Sequence, residues 1–168
     1  MEKILTIKQN INQIRAIDII DNLSEYYIPQ VQKKLYYPYY WFLFKYSVKT
    51  IFGEKTIRVP CIIDMLNKQA STVDDFEREF IAVEQENIIQ GKLKKLEALK
   101  SAKSYIIHAV MHKLKSLIYP EIELLEENVV YRPFWIIKCD RSGYNSFKVM
   151  VDGVTGKFQI LNIVKEAK

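Results

Sequence analysis

The chain of 168 residues has little of what marks several protein classes. Its two cysteines are too few for a disulfide scaffold, and they form no CxxC pair or Cys/His cluster with metal-ligand spacing. Five glycines and five prolines exclude a fibrous or low-complexity chain. No run of about 18 uncharged apolar residues could cross a membrane, and the first residues lack the apolar segment of a secretory signal. We therefore expect a soluble cytoplasmic protein with reduced cysteines.

Recognisable catalytic motifs are also missing. The sequence contains no GxSxG, P-loop or GxGxxG motif. Cys61 and Cys139 lie in apolar stretches, which is typical of small buried residues rather than nucleophiles. His108 and His112 are spaced to share a metal on one helix face, but no third ligand of fixed spacing accompanies them, so we interpret both as surface residues. We expect no cofactor and favour a protein without catalytic activity; a small enzyme with an unrecognised site is an alternative.

The formal net charge of +5 is unevenly distributed. Residues 73–90 contain one basic and six acidic residues, whereas residues 91–120 contain seven basic residues and one acidic residue. Acids early and lysines late in one helix match the helix dipole, which favours a solvated helix. The alternative is a nucleic-acid surface, because clustered lysines attract phosphate backbones. The lysines that would form this surface are Lys92, Lys94, Lys95 and Lys103.

Hydrophobic spacing predicts two helices, with strands between them and more strands after the second helix. Apolar residues recur every three positions between Lys8 and Tyr27, and every three or four positions from Asp74 to Leu117. Two segments of strand composition, Leu35–Lys49 and Lys55–Asp64, flank a glycine-containing turn and are interpreted as a β-hairpin. After residue 120, short apolar segments separated by glycine-containing turns predict an antiparallel meander.

Two sequence blocks recur in the same order along the chain. Tyr36–Tyr40 matches Tyr131–Trp135 at an offset of 95 residues, and Ile62–Lys68 matches Met150–Gly156 at an offset of 88 residues. Each copy follows a predicted helix, so the sequence predicts an internal duplication of a helix followed by strands. Asp64 and Asp152 occupy equivalent positions, and we interpret them as turn residues rather than as a pair of catalytic carboxylates.

The second copy carries a resemblance to a known family. Its segments Tyr131–Lys138 and Phe147–Lys157 resemble the strand pair of PepSY-type domains, and are also similar to a strand pair of uncharacterised prokaryotic proteins that carry it beside zinc ribbons. PepSY-type domains are small helix-plus-antiparallel-sheet modules, often secreted or membrane-attached, that are associated with binding or inhibiting peptidases. This chain has no signal peptide, attached peptidase or CxxC pair, so the resemblance implies a fold rather than an activity, and it supplies no catalytic residue.

The expected fold is therefore α+β, with two tandem PepSY-like units bridged by a long helix. The first helix-plus-hairpin unit is expected at residues 1–72. The long helical segment, which also serves the second unit, is expected at residues 73–118. The second antiparallel sheet unit is expected at residues 119–168.

The densest aromatic tract suggests how such a protein could act. Eight of the 11 residues from Tyr36 to Tyr46 are aromatic, so both faces of a strand there would be apolar, whereas a two-layer domain covers one face. We favour burial of the second face between the two repeats. A partner protein or a second copy is the first alternative, and stacked sugars or bases are the second. The function predicted is a non-catalytic binding or assembly module that uses aromatic strand faces for protein contact or self-association. Its candidate binding residues are Tyr37, Tyr39, Trp41, Phe134 and Trp135.

Overall fold

A computed structural model describes residues 1–23, 26–114, 120–141 and 143–163 of the chain. Within these residues the protein contains two α-helices and eight strands, so the expected α+β class is confirmed. In chain order the elements are β1 (Glu2–Ile7), α1 (Gln13–Asp21), β2 (Ile28–Thr50), β3 (Gly53–Asp64), β4 (Ala70–Thr72), β5 (Arg78–Val83), α2 (Lys95–Leu114), β6 (Glu123–Asp140), β7 (Phe147–Asp152) and β8 (Phe158–Ile163).

The chain divides into two compact units, and each unit is discontinuous in sequence. Unit 1 comprises residues 1–37, 77–89 and 131–168, and unit 2 comprises residues 38–76 and 90–130. Strands β2 and β6 each continue from one unit into the other along the chain. The predicted division at residues 72 and 118 cuts the sequence into consecutive pieces. Each observed unit instead combines segments from both halves of the sequence.

Unit 2 is an antiparallel sheet covered by one helix. The β2–β3 hairpin pairs Tyr39 with Asp64 at its base and Thr50 with Gly53 at its turn, which confirms the predicted hairpin. Strand β4 pairs with the other edge of β3. The hairpin buries large side chains under α2, and burial of each contributes about 1.5–3 kcal/mol. The buried residues of α2 follow one another at four-residue spacing, which keeps them on one helix face; they are Ala98, Ala102, Ile106 and Val110.

Unit 1 pairs the shorter helix with the meander formed by β6, β7 and β8. Helix α1 begins after Asn12, whose side-chain oxygen accepts a hydrogen bond from the Arg15 amide at 2.9 Å and so caps the helix. Ala16 and Ile20 of α1 are buried. The predicted meander is confirmed, although residues 123–140 form one continuous strand rather than two. The residues that pack around α1 in this core include Ile137, Cys139, Val149 and Val151.

Three strands, β1, β4 and β5, occupy positions where the sequence analysis expected no strand. Strand β1 pairs antiparallel with β5, from Glu2 opposite Val83 to Ile7 opposite Arg78. Strand β5 lies inside the segment predicted as the start of the long helix, and α2 begins only at Lys95. That prediction was wrong because β5 is stabilised by pairing with a strand about 75 residues away, which local propensity does not reveal.

Helix α2 lies within unit 2. That it bridges two PepSY-like units stays a prediction. The last part of the predicted helix, residues 115–117, lies outside the described residues. The first helix is shorter than predicted and covers Gln13–Asp21 only.

Candidate binding surfaces

The turn between β3 and β4 is organised by the side chain of Asp64. Its Oδ1 accepts hydrogen bonds from the amides of Leu66 at 2.8 Å and Asn67 at 2.9 Å. The amide of Lys68 donates to the Asp64 carbonyl at 2.9 Å, and Lys68 adopts a φ of 60°. The carboxylate therefore acts as a local turn-forming group, in agreement with the sequence interpretation.

The turn between β7 and β8 repeats this arrangement around Asp152. Its Oδ1 accepts from the Val154 amide at 2.9 Å and from the Thr155 amide at 3.5 Å, and its Oδ2 accepts from the Thr155 hydroxyl at 2.7 Å. The Gly156 amide donates to the Asp152 carbonyl at 2.9 Å, and Gly156 has a φ of 75°. A glycine adopts this left-handed conformation without strain, whereas Lys68 adopts it at the equivalent position with a side chain.

Each turn is also connected to the proline of the preceding long strand. The amide of Met65 donates to the Pro38 carbonyl at 3.3 Å, and the amide of Gly153 donates to the Pro133 carbonyl at 2.8 Å. A Cβ on Gly153 would lie 2.9 Å from that carbonyl oxygen, so a larger residue there would move the backbone. These contacts fix each turn against its own sheet.

Asp152 also forms a two-pronged ion pair. Arg132 donates from Nε to Oδ1 at 3.1 Å and from Nη2 to Oδ2 at 2.5 Å. Burial raises the pKa of the Asp152 carboxyl, but the hydrogen bonds from Arg132, the Val154 amide and the Thr155 hydroxyl outweigh it and hold the pKa below its ordinary value. The carboxylate is thus fully engaged in structure and has no spare role as a general acid or base.

The aromatic tract is divided between core and partly exposed positions. Phe42 and Phe44 lie in the core under α2. Trp41, on the opposite strand face, retains only 3% of its exposed area, so a partner would gain little from contacting it. Tyr37 and Tyr39 are half-buried, and the assignment of Tyr37, Tyr39, Trp41, Phe134 and Trp135 to partner binding stays a prediction.

The aromatic residues of unit 1 make specific contacts with each other and with the backbone. The ring of Phe134 packs edge to face against Tyr37 with centroids 6.2 Å apart. Trp135 donates from Nε1 to the Ile11 carbonyl at 2.8 Å, and the Lys34 ammonium lies 5.1 Å from its ring centroid. Burial lowers the pKa of Lys34, with a small opposing effect from the Glu79 charge. Trp135 thus positions the start of α1 and a lysine.

The lysines that were candidates for nucleic-acid binding do not share one environment. Lys92 and Lys94 precede α2 and are exposed, whereas Lys95 forms an ion pair with Glu127 at the start of the helix. Lys103 is half-buried. The acidic residues of segment 73–90 lie outside α2, so the dipole explanation for the charge separation was wrong. Nucleic-acid binding by these four lysines stays an alternative.

The histidines and cysteines do not form a reactive centre among the described residues. His108 and His112 are both exposed on α2, and no group of three or more metal-ligating side chains occurs in the part of the chain that the structure describes. Burial raises the pKa of Cys61 to about 12, and burial with the nearby Asp140 and Asp21 charges raises that of Cys139 to about 11. Thiols with such pKa values are poor nucleophiles at neutral pH.

Unit 2 contains an open cavity of about 700 Å³ between the outer part of the β2–β3 hairpin and the start of β6. Its lining includes Lys45 and Glu123, which form an ion pair at 3.0 Å. Lys103 and Glu121 also line it, so its charges largely compensate one another. No histidine or cysteine contributes to the described lining.

The least covered apolar strand is β8. Phe158 and Ile160 are 43% and 58% exposed, although they pair directly with Val151 and Val149, which are buried under α1. Directly paired residues of antiparallel strands project from the same face. Strand β8 therefore extends the apolar face of unit 1 beyond the area that α1 covers.

Unit 2 offers a comparison for this strand. There β4 pairs with β3 in the equivalent register, and Ala70, opposite Ile63, packs against the core under α2. Thr72, opposite Cys61, is exposed, so the position equivalent to the apolar Ile160 is polar in unit 2. Helix α2 has 20 residues and α1 has nine, so at about 1.5 Å per residue α2 is roughly 16 Å longer. Sequence reasoning missed the β8 surface because alternating apolar residues identify a strand without telling which helix covers it.

Comparison of the chain with protein-family models, with curated proteins and with solved structures finds no significant match. Neither helix in the described part of the chain combines the length and the apolar character needed to cross a membrane.

Proposed function

We propose that the protein is a non-catalytic binding module that acts through protein–protein contact, and that the apolar side of β8 is its docking surface. The observation that carries this proposal is the exposure of Phe158 and Ile160 on the same sheet face as the buried Val149 and Val151. Exposed apolar side chains that continue a buried face are typical of interaction sites. The absence of a reactive group beside them favours binding over catalysis.

The proposed occupant is an amphipathic helix of a partner protein. In unit 2 the helix α2 packs on the equivalent face of the sheet, so a helix is the element that fits this type of face. Lys148 alternates with Val149 along β7, so it projects from the opposite face of the sheet. A helix with apolar residues at four-residue spacing would bury Phe158 and Ile160, and glutamates on its flanks would suit the net charge of +5 of the chain.

We also propose that the chain is an internal duplication of a PepSY-like helix-plus-sheet unit. The support is the equivalence of the two turns, with the same hydrogen bonds around Asp64 and Asp152. The registers agree as well, because Tyr39 pairs with Asp64 as Phe134 pairs with Asp152. The offsets of these pairs are those of the sequence repeat. Each unit also packs one helix on an antiparallel sheet, as the resemblance implies.

A titration with a defined helix tests the binding proposal. A labelled synthetic peptide of about 20 residues, with an apolar stripe at four-residue spacing and glutamate flanks, is expected to bind the protein with a Kd of about 10–100 μM by fluorescence anisotropy. The double variant Phe158→Ser/Ile160→Ser should weaken binding by roughly 30-fold, because about half of each side chain's burial is lost.

Matched controls identify the surface and the occupant. Phe80→Ser changes an exposed aromatic residue on β5 and should leave the affinity unchanged. A peptide with lysine flanks should bind more weakly than the glutamate peptide. Equal binding by the β8 variant would contradict the proposal, and so would self-association of the protein that the same variant abolishes, because a second copy would then be the occupant.

A further inference from the structure

The turn between β2 and β3 exposes two large apolar side chains. Ile51 and Phe52 are each 93% exposed, and they are the two residues between the paired Thr50 and Gly53. Gly53 has a φ of 113°, which supplies the unusual backbone conformation that closes the turn. Turn positions of this kind favour Asn, Asp, Gly, Ser or Pro. Turn formation therefore does not explain the apolar identity of Ile51 and Phe52.

Basic side chains surround this apolar tip. Lys49 and Lys55 are exposed on the two strands next to the turn, with Glu54 opposite Lys49. Across residues 45–58 the hairpin carries four basic residues and one acidic residue. Lys45 is paired with Glu123 and lies opposite Arg58, away from the turn, so the charged residues nearest the turn are two lysines and one glutamate.

The distance between the apolar turn residues and the flanking lysines fits a lipid interface. A strand rises about 3.3 Å per residue, so Lys49 lies roughly 7 Å behind Ile51, and Lys55 lies roughly 10 Å behind Phe52. Apolar side chains of peripheral proteins enter about 5–10 Å into the boundary between headgroups and acyl chains. When Ile51 and Phe52 reach that depth, the lysine ammonium groups lie at the level of the anionic headgroups.

We propose that the β2–β3 turn is a membrane-docking element that inserts Ile51 and Phe52 into the interface of an anionic lipid bilayer. An apolar pocket of a protein could take the same two side chains, but it would not need cations on both strands at this distance. The binding is weak and reversible, because two side chains bury less apolar surface than one fatty acyl chain. The docking element belongs to unit 2 and does not depend on β8.

Vesicle sedimentation tests this proposal with the full chain. Wild-type protein is expected to bind vesicles containing about 30% phosphatidylserine and to bind pure phosphatidylcholine vesicles roughly 25-fold more weakly. Ile51→Ser/Phe52→Ser should reduce the partition coefficient by roughly 100-fold on both. Lys49→Ala/Lys55→Ala should reduce it by roughly 25-fold on the anionic vesicles alone, at about fivefold for each lysine.

Three further variants complete the design. Phe80→Ser and the β8 variant Phe158→Ser/Ile160→Ser are expected to bind vesicles as the wild type does, so a failure here is distinguishable from a failure of the protein-binding proposal. The emission of Phe52→Trp should shift to the blue with anionic vesicles. Absence of wild-type sedimentation with anionic vesicles would overturn the proposal, as would equal sedimentation of wild type and Ile51→Ser/Phe52→Ser.

Discussion

At the scale of single residues, Asp152 shows how a partly buried carboxylate can serve the fold rather than chemistry. Its pKa is lower than the ordinary value of 3.8, because Arg132 and the turn donors stabilise the charged form more than burial destabilises it. A carboxyl with a lowered pKa in the folded protein contributes stability at pH values above its unfolded pKa. That contribution is lost as the pH falls through the lowered folded value.

We expect Asp152→Asn to reduce the free energy of unfolding at neutral pH by about 2 kcal/mol, since Arg132 loses its charged partner. The difference from wild type should shrink as the pH falls below 3.8, because the wild-type carboxyl also becomes neutral. Urea titrations over a pH series measure both effects. A difference that does not change with pH would contradict the ion-pair account.

The two cysteines give a second test at the residue scale. With pKa values raised to about 12 and about 11, Cys61 and Cys139 should not react with iodoacetamide in the folded protein at neutral pH. Both should react in denaturant, where burial is removed. Mass spectrometry of the alkylated protein counts the modified thiols, and rapid modification of the native protein would contradict their burial.

At the scale of the elements, the sequence predicted what depends on near neighbours and missed what depends on distant ones. The β2–β3 hairpin and the final meander were predicted because apolar alternation and glycine turns are local signals. The first helix was predicted too long. Residues spaced by three are displaced by about 60° around the helix axis at each step, so an apolar repeat of three does not stay on one face. Ile14 and Leu23 accordingly lie exposed, although they belong to the same apparent stripe as the buried Ile20.

The four-residue stripe of α2 allows a quantitative test of helix packing. Ile106 is fully buried against the β2–β3 hairpin, so Ile106→Ala should cost about 2–5 kcal/mol of stability through lost burial and a cavity. Leu96→Ala, at an exposed position of the same helix, should change stability by less than about 0.5 kcal/mol. Thermal or urea unfolding measures both, and equal effects would show that the buried face is assigned incorrectly.

At the scale of the whole molecule, each helix packs on strands from the other half of the sequence. Helix α1 packs with β6 and β7, and helix α2 packs with β2 and β3. A duplicated sequence indicates which segments are alike, but it does not indicate which copy a helix will cover. That is why the sequence predicted two sequential units, and why the exposed apolar side of β8 was found only in the structure.

This packing predicts how a cut chain behaves. A protease site inserted in the exposed segment around Asp74 and Asp75 would separate α1 and β2–β4 from α2 and β6–β8. The two fragments should remain associated on size exclusion after cleavage, because each unit needs both halves. Fragments that separate and stay folded would contradict the packing of each helix on the other half.

The central claim is that the apolar side of β8 docks an amphipathic helix of a partner protein. Methyl-resolved NMR during titration with the glutamate-flanked peptide tests it most directly. The predicted result is a saturable shift of the Ile160 methyl signals, with smaller shifts at the adjacent Val149 and Val151, and none at Ile63 in the other unit. Shifts at Ile63 with Ile160 unchanged, or no saturable shift at all, would contradict the claim.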